Sequence, residues 1–328
     1  MYPAKARKYL IIALIAGWGL TAAYLNICHN KNTHKIKPQP KLQNQELYKD
    51  TQLMMGTFVE VISPDKKASN IAFTEIKRVE NLLSKYNPDS EISKLNKSGA
   101  CLVSPETYYV IKKAKEFWLA SDGAFDITVG PLLDLWGFTD KNYGLPEEKS
   151  IKDTLARVGS DKIILNKENN VVEFIVPGMK IDLGAIAKGF AVDCAIDKLK
   201  KASIKNCLIN AGGDIYCIGD RLGKDWKVAI QNPSGNGFTD CLLLKNQAVA
   251  TSGNYEQFFL KNKKRYAHIF NPKTGEPSDL GIASVTVIAQ DCLTADALAT
   301  SIFVLGKAKG EVLSKKFPNV KTIVIEES

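Results

Sequence analysis

The sequence lacks the short motifs by which many enzymes can be classified. It contains no C-x-x-C pair, which disfavours zinc binding and thiol redox chemistry, and its seven scattered cysteines are predicted to be free thiols. No G-x-G-x-x-G fingerprint is present, so a dinucleotide-binding Rossmann unit is disfavoured. The G-x-S-x-G elbow is also missing, which gives little support to a serine hydrolase built from Ser252 and His268.

Acidic residues are missing from the first 44 positions, and this accounts for most of the basic net charge. The formal net charge is +9, and residues 1–44 contribute +7 of it, so the rest of the chain carries only +2. A nearly balanced domain gives no electrostatic support for nucleic-acid binding. We therefore expect no nucleic-acid partner.

The N-terminus has the pattern of a targeting segment. A basic stretch that ends at Lys8 precedes an uncharged, largely apolar run from Tyr9 to Cys28. A membrane span needs about 17–25 such residues, so residues 1–28 are predicted to be a signal peptide or an uncleaved membrane anchor. Lipidation of Cys28 is the alternative, disfavoured because Ile27 replaces the small residue that usually precedes a lipoprotein cysteine. Either outcome exports the rest of the chain.

Three regions are predicted along the chain. After the targeting segment, residues 29–50 are polar, with Pro38 and Pro40, and are typical of a tether. Residues 51–328 are predicted to form one domain, in which short strands come in runs rather than in strict alternation with helices. This pattern predicts an α+β fold with a largely antiparallel or mixed sheet covered by helices.

Apolar periodicity predicts the individual elements. Helices are expected at 66–86, 104–120, 185–201, 292–305 and 307–316. Strands are expected at 53–62, 162–165, 171–176, 179–182, 207–210, 214–218, 226–230, 241–251, 256–260, 265–269, 282–288 and 321–325. Pro177 and Gly178 are predicted to form a hairpin turn between two of these strands.

Two distant segments suggest a metal-assisted site for a phosphorylated substrate. Asp296 and Thr300 lie four residues apart, so on a helix they share one face and offer two oxygen ligands to a hard cation such as Mg²⁺. The small apolar residues between them predict a packed interior, where an unpaired carboxylate would be costly. Residues 180–189 are predicted to run from a strand through Gly184 into a helix, whose N-terminus attracts anions.

Three further polar residues have a structural interpretation, and two of them also have a functional one. Asp182 is interpreted as an N-cap of the helix near Gly184. Lys188 has the wrong sign for the first turn of a helix unless an anion or carboxylate offsets it. His268 lies beside a tight turn at 271–275, where a structural histidine and a catalytic one are both compatible with the sequence.

Seven ordered motifs together resemble the FAD:protein FMN transferase family, the ApbE-type flavin transferases. The resemblance covers roughly residues 53–305. The motifs are MGT at 55–57, GAFDITVGP at 123–131, DLGAIAKG at 182–189, NAGGD at 210–214, TSGNYE at 251–256, HIFNPKTG at 268–275 and ADALAT at 295–300.

The resemblance implies an activity and a set of site residues. Members of this family split FAD and join FMN through a phosphoester to a Thr or Ser hydroxyl of a partner protein, releasing AMP. By position, the implied Mg²⁺ ligands are the Ala185 carbonyl and the side chains of Asp296 and Thr300, with His268 and Asp296 as implied catalytic residues. The implied flavin-nucleotide contacts are Met55, Tyr86, Ala124, Phe125, Asp126, Asp182, Lys188 and His268.

The same resemblance implies a location and leaves two other activities open. The expected partner is an exported or membrane-embedded redox protein that carries the acceptor Thr or Ser. The expected location is the bacterial inner membrane, with the domain on the periplasmic side. The alternatives are an FAD pyrophosphatase that gives FMN and AMP, in which water replaces the acceptor, and a non-enzymatic flavin-binding or storage protein.

Overall fold

The computed structural model describes residues 46–235 and 237–327. Eight helices occur in this part of the chain: α1 (Lys67–Leu83), α2 (Glu91–Ser98), α3 (Pro105–Ala120), α4 (Gly130–Leu135), α5 (Glu148–Leu155), α6 (Ala187–Lys201), α7 (Cys292–Leu305) and α8 (Lys307–Ser314). The strands are β1 (Tyr48–Met54), β2 (Thr57–Ser63), β3 (Ala100–Leu102), β4 (Ile163–Asn166), β5 (Val171–Phe174), β6 (Cys207–Ala211), β7 (Asp214–Ile218), β8 (Trp226–Gln231), β9 (Phe238–Leu244), β10 (Gln247–Gly253), β11 (Phe258–Lys261), β12 (Lys264–Ala267), β13 (Phe270–Asn271), β14 (Glu276–Pro277), β15 (Ile282–Ala289) and β16 (Lys321–Glu326).

A seven-stranded sheet forms the centre of the domain. Its strands are ordered β1-β2-β6-β7-β10-β15-β16, and every neighbouring pair is antiparallel. Strands β7 and β15 are buried along their whole length, which indicates that both faces of the sheet are covered. This arrangement confirms the predicted α+β fold with a largely antiparallel sheet.

The two faces of the sheet are covered by different elements. Helices α1, α6 and α7 pack together over one face and enclose the main hydrophobic core. On the other face, Trp226 and Val228 of the β8-β9 hairpin pack against Leu208, Ile215 and Val249 of the sheet. Because α7 is apolar on almost all sides, it is buried between α6 and the sheet.

Two of the predicted strands are each divided in the structure. The predicted strand 53–62 is two strands, since Met55 (φ +50°) and Gly56 (φ +74°) form a two-residue turn whose positive φ angles suit a tight hairpin. The predicted strand 241–251 is also two strands, separated by a turn at Asn246 (φ +52°).

The predicted hairpin around Pro177 and Gly178 is wrong. Residues 179–182 belong to no strand, and α6 begins at Ala187 rather than at 185. Instead of a strand partner, Ile181 exchanges two hydrogen bonds with the side-chain amide of Asn96, at 2.8 and 2.9 Å. Asp182 N–H donates to the carbonyl of Ile127 at 2.7 Å. Side-chain and loop partners thus satisfy the backbone of this segment.

The predictions for the N-terminus fall mostly outside the described residues. The targeting segment at 1–28 and residues 29–45 of the predicted tether belong to the part that the structure does not describe, and β1 begins at Tyr48, within the last residues of that tether. Within residues 46–235 and 237–327, no helix combines the length and apolar character that a membrane span requires. The six cysteines in these ranges are all free thiols, as predicted.

Candidate active site

A single carboxylate lies inside the most apolar helix of the domain. Asp296 is the only charged residue of α7, and it is 3% exposed. Its burial follows from the apolar residues on either side of it in sequence, which pack against the sheet and α6. A buried carboxylate has to be paired, hydrogen-bonded or bound to a cation. The groups around Asp296 therefore define the chemistry of the site.

The first turn of α6 meets the first turns of α7 at Asp296. The backbone N–H of Gly189 donates to Asp296 Oδ2 at 3.1 Å. No backbone N–H in the described residues donates to the Ala185 carbonyl, the partner that Gly189 N–H would have in a regular helix. A Cβ at position 189 would lie 2.7 Å from the carbonyl carbon of Cys292 and 2.8 Å from Leu293 N, so only glycine permits this contact.

Thr300, one turn beyond Asp296 on α7, has a hydroxyl partner on the sheet. Its Oγ1 lies 3.1 Å from Oγ of Ser252, a buried residue of β10. Because α7 packs on β10, this hydrogen bond fixes the rotamer of Thr300 relative to the sheet. The structure thus brings Asp296 and the start of α6 together and orients Thr300 on the same helix.

Lys188 provides the positive charge next to Asp296. Its Nζ lies 2.7 Å from Oδ2 of Asp214, 3.6 Å from Oδ2 of Asp296 and 3.2 Å from the Gly184 carbonyl. Asp214 is 2% exposed at the start of β7, and Glu256 follows β10 closely enough to interact electrostatically with Lys188. We call Asp214, Glu256 and Asp296 the carboxylate cluster.

The carboxylate cluster carries more negative charge than Lys188 can balance. Burial raises the pKa of Asp214 and of Asp296, and their proximity adds to the increase for Asp214. Burial also raises the pKa of Glu256, to about 7. Burial opposes the charge of Lys188, but Asp214 and Asp296 outweigh it and raise the pKa of the lysine. Each carboxyl is therefore harder to ionise than usual unless another cation is present.

The donor set fits a hard divalent cation. Carboxylate, hydroxyl and carbonyl oxygens are the ligands that Mg²⁺ prefers, and Asp296, Thr300 and Ala185 supply one of each. The Ala185 carbonyl has no backbone donor in the described residues, so its oxygen is available to a cation. A divalent ion beside Asp296 would favour the ionised form of the carboxylate cluster, because its charge would oppose the burial that raises the pKa of these groups.

Asp182 belongs to a second charged network at the same edge of the domain. Its Oδ1 accepts the Gly184 N–H at 2.7 Å, so it stabilises a turn before α6 and does not cap the helix. Its Oδ2 lies 2.7 Å from Lys85 Nζ, and both side chains are largely buried. Burial opposes the charge of Lys85, but Asp182 outweighs it and raises the lysine pKa. The next residue, Tyr86, is 67% exposed, and its ring lies 5.0 Å from Lys85 Nζ.

The two ring nitrogens of His268 have different roles, because only Nδ1 is hydrogen-bonded to the backbone. Its Nδ1 lies 3.2 Å from the Gln257 carbonyl, an acceptor, so Nδ1 carries the hydrogen and Nε2 is the basic nitrogen of the neutral ring. Burial lowers the pKa of His268 below its usual 6.5, and Lys188 is close enough to lower it further. The ring is therefore neutral near pH 7, as a general base must be.

Ala124, Phe125 and Asp126 occupy the core more than the site. All three are buried, and Phe125 packs edge-to-face on Phe117. The Asp126 carboxylate accepts hydrogen bonds from Thr128 and Ser160 at 2.6–3.1 Å, and burial raises its pKa. The segment borders a cavity of about 280 Å³, lined in part by Gly123 and Lys273.

Met55 reaches the site region through the turn between β1 and β2. Its N–H donates to Oε1 of Glu80 at 2.7 Å, which stabilises its left-handed conformation. Thr57, the last residue of the same motif, packs on Gly212, where a Cβ would lie 2.9 Å from the threonine Cβ. The MGT motif therefore lies against the NAGGD motif that ends at Asp214.

Four residues join the site that the sequence alone did not predict: Lys85, Asp214, Ser252 and Glu256. Asp214, Ser252 and Glu256 belong to the motifs NAGGD and TSGNYE, so the sequence marks their positions. It does not show which residues they contact. Lys85 precedes Tyr86 directly, and only its contact with Asp182 reveals a role.

The fold of this domain is shared with solved structures of known proteins. The sequence model of the ApbE family matches residues 55–324, and the chain belongs to that family. This confirms the resemblance that the seven motifs suggested.

Individual relatives cover most of the domain. The chain is 36% identical over 255 residues to the FAD:protein FMN transferase of Haemophilus influenzae, which covers 74% of this chain and 73% of that protein. The ApbE protein of Thermotoga maritima has a similar structure, with a TM-score of 0.79, 34% identity and coverage of 86% of this chain and 97% of that one. The flavin transferase ApbE of Vibrio cholerae gives a TM-score of 0.77 at 31% identity, with 86% and 94% coverage.

Proposed function

We propose that this chain transfers FMN from FAD to a Thr or Ser hydroxyl of another protein, with release of AMP and dependence on Mg²⁺. The observation that carries the proposal is the contact of Asp296, the one charge of α7, with the first turn of α6 beside Lys188. The names of the relatives, FAD:protein FMN transferase, support the same reaction.

The proposed cation site uses oxygen atoms from α7 and from the turn before α6. Asp296, Thr300 and the Ala185 carbonyl would hold the ion. When bound, Mg²⁺ would neutralise the pyrophosphate and stabilise the charge that develops on it. Lys188 adds a fixed positive charge at the same place, and Ser252 keeps the Thr300 hydroxyl in one orientation.

The proposed flavin contacts surround this cation site. Asp182 is held by Lys85 and can accept a hydrogen bond from an N–H or O–H of the nucleotide. The exposed ring of Tyr86 offers a surface on which a flat ring can stack. Met55, the backbone of 124–126 and the His268 loop complete the proposed contacts.

The proposed transfer exchanges the phosphoanhydride bond of FAD for a phosphoester bond to the acceptor. The acceptor oxygen attacks the phosphorus of the FMN half of FAD, and the bond from this phosphorus to the bridging oxygen breaks. AMP leaves with the bridging oxygen, and the hydroxyl proton moves to Nε2 of His268, the free basic nitrogen. Burial keeps that ring neutral before the reaction.

Mass spectrometry of an acceptor protein tests the proposal. The full chain is incubated with FAD, Mg²⁺ and a flavinylation-competent acceptor, and we expect a covalent adduct of FMN on a Thr or Ser. Asp296→Ala should abolish the adduct, whereas Asp197→Asn, which removes an exposed carboxylate of α6, should not. Production of FMN and AMP without an adduct would instead indicate a pyrophosphatase. If FAD is not consumed, the result would indicate a non-enzymatic flavin-binding protein.

We also propose that the domain acts outside the cytoplasm. The support is the apolar run up to Cys28 and the polar residues 29–50 that separate it from the domain. A membrane anchor there would keep the enzyme near exported or membrane-embedded redox proteins. Fractionation of cells that express the full chain tests this. Recovery of the protein in the cytoplasmic fraction alone would contradict it.

A further inference from the structure

Lys188 is placed where it could interfere with a cation on Asp296. Its ammonium lies 3.6 Å from Oδ2 of Asp296, and an ammonium that moved closer would occupy the same carboxylate that a divalent ion needs. The lysine ammonium is carried on a flexible four-carbon chain, so rotation about the bonds of this side chain could bring it closer to Asp296. What holds it is the shorter contact with Asp214, at 2.7 Å.

Asp214 is well suited to hold the ammonium in one place. It begins β7, in the middle of the sheet, and is 2% exposed. The turn before it is fixed because Asn210 Oδ1 accepts the Gly213 N–H at 2.9 Å and Gly212 packs closely on Thr57. The carboxylate therefore has little freedom to follow the lysine.

We propose that Asp214 is a positioning residue that holds the Lys188 ammonium away from Asp296 and so keeps Asp296 available to a divalent cation. The Gly184 carbonyl, at 3.2 Å, is the second anchor of the ammonium. With Asp214 neutralised, the nearest remaining carboxylate for Lys188 is Asp296, and cation and ammonium compete for it. The inference rests on the proposed divalent-cation site.

Direct measurement of Mn²⁺ binding tests this without flavin or acceptor. The full chain is titrated with Mn²⁺, and free Mn²⁺ is followed by electron paramagnetic resonance. Asp214→Asn is measured with Lys188 present and in the Lys188→Met background. Asp225→Asn, which removes an exposed carboxylate, serves as the control. Thermal unfolding of each variant checks that it is folded.

The proposal predicts strong coupling between the two residues. Asp214→Asn should weaken Mn²⁺ binding by a factor that is at least about fivefold larger with Lys188 present than in the Lys188→Met background, as for directly interacting groups. Lys188→Met alone should bind Mn²⁺ more tightly than the wild type. An equal loss in both backgrounds would overturn the proposal, because Asp214 would then act on the cation directly.

Two other outcomes are also decisive. If Asp214→Asn does not fold, Asp214→Ala is measured in the same two backgrounds, where the same coupling is expected and an equal loss would again overturn the proposal. If the wild type binds no Mn²⁺, both this inference and the metal dependence of the proposed function fail. FMN transfer that persisted in a chelator would then indicate a metal-independent transferase.

Discussion

Gly189 N–H donates to Oδ2 of Asp296 at 3.1 Å and joins the first turn of α6 to the interior of α7. The two residues are 107 positions apart in sequence. The contact is close because glycine lets α6 approach the backbone of Cys292 and Leu293. The position of the Ala185 carbonyl relative to Asp296 depends on this approach.

Gly189→Ala should therefore separate the two helices. The added Cβ would meet the backbone of Cys292, which cannot move aside as a flexible side chain could. We expect a loss of about 1–3 kcal/mol in the free energy of unfolding, together with weaker Mn²⁺ binding. Urea unfolding measures the first quantity. Gly144→Ala, where a Cβ meets nothing within 4 Å, is the control. A Gly189→Ala protein as stable as this control would contradict the packing account.

Thr300→Val should impair metal binding without disturbing the fold. Valine has nearly the same shape but no hydroxyl, so the proposed ligand and its hydrogen bond with Ser252 are both lost. Loss of an outer-shell partner of a metal ligand typically lowers metal affinity about 10–100-fold. Thr300→Val removes the proposed ligand itself, so we expect its metal affinity to fall by at least this factor. Ser252→Ala removes only the hydrogen-bond partner of Thr300, so we expect a smaller loss of affinity than in Thr300→Val. Thr294→Val, on the same helix, controls for the substitution. Titration with Mn²⁺ should give a weaker affinity for Thr300→Val than for Thr294→Val. Equal Mn²⁺ affinities of the two variants would exclude Thr300 as a ligand.

Lys85→Met should weaken FAD binding. It leaves the Asp182 carboxylate without its cation at a largely buried position, which we expect to destabilise the domain by about 1–3 kcal/mol. The FAD dissociation constant, measured by fluorescence, should rise. Lys97→Met, which removes an exposed lysine of α2, should change neither quantity. If Lys85→Met binds FAD with unaltered affinity, the contact between Lys85 and Asp182 does not contribute to the FAD site.

His268 should titrate below pH 6.5. Because burial lowers its pKa in the folded state, the neutral ring persists to lower pH than in the unfolded chain. The acid limb of the transfer rate should accordingly lie below pH 6.5. Nitrogen-15 NMR, with His268→Gln to assign the signal, should give a protonated Nδ1 in the neutral form. A pKa above 6.5, or a protonated Nε2, would argue against a general base.

Asp193 should make the domain less stable as pH rises from about 4 to 7. Burial raises its folded-state pKa to about 7, although the N–H groups of Cys292 and Leu293 donate to it. The folded state then binds more protons than the unfolded state over this range, so the free energy of unfolding falls with pH and levels off above 7. Each pKa unit corresponds to about 1.4 kcal/mol.

Comparison of Asp193→Asn with the wild type at several pH values tests this. The variant should lose the part of the pH dependence that Asp193 contributes, while Asp197→Asn, one turn further along α6 and exposed, should keep it. The same slope in Asp193→Asn and the wild type would mean that Asp193 does not titrate in this range.

The sequence was sufficient for elements whose partners are local. The uninterrupted apolar pattern of α7 gave its limits correctly, and the predicted helix at 104–120 is present as α3, where Ser104 Oγ accepts the Thr107 N–H as an N-cap. The strand predicted at 179–182 failed because its backbone bonds to Asn96, a side chain 85 positions away. Apolar periodicity carries no information about such a partner.

The site shows the same limit. Asp296 and Thr300 could be predicted because they share one helix face, but the contact between Lys188 and Asp214 depends on how a helix meets a strand. The turn at Asn246, which separates β9 from β10, lies in the polar residues 245–247 between the apolar runs 241–244 and 248–250, a local signal that the predicted strand 241–251 overlooked. Burial and distance, which only the fold supplies, assign Lys85 and Glu256.

The location of the cation is the central claim, and anomalous diffraction tests it most directly. Crystals grown with FAD and Mn²⁺ should give an anomalous peak within bonding distance of an Asp296 carboxylate oxygen, Thr300 Oγ1 and the Ala185 carbonyl, next to the pyrophosphate. A peak at another position, with the FAD phosphates bound away from the contact of α6 and α7, would contradict the account.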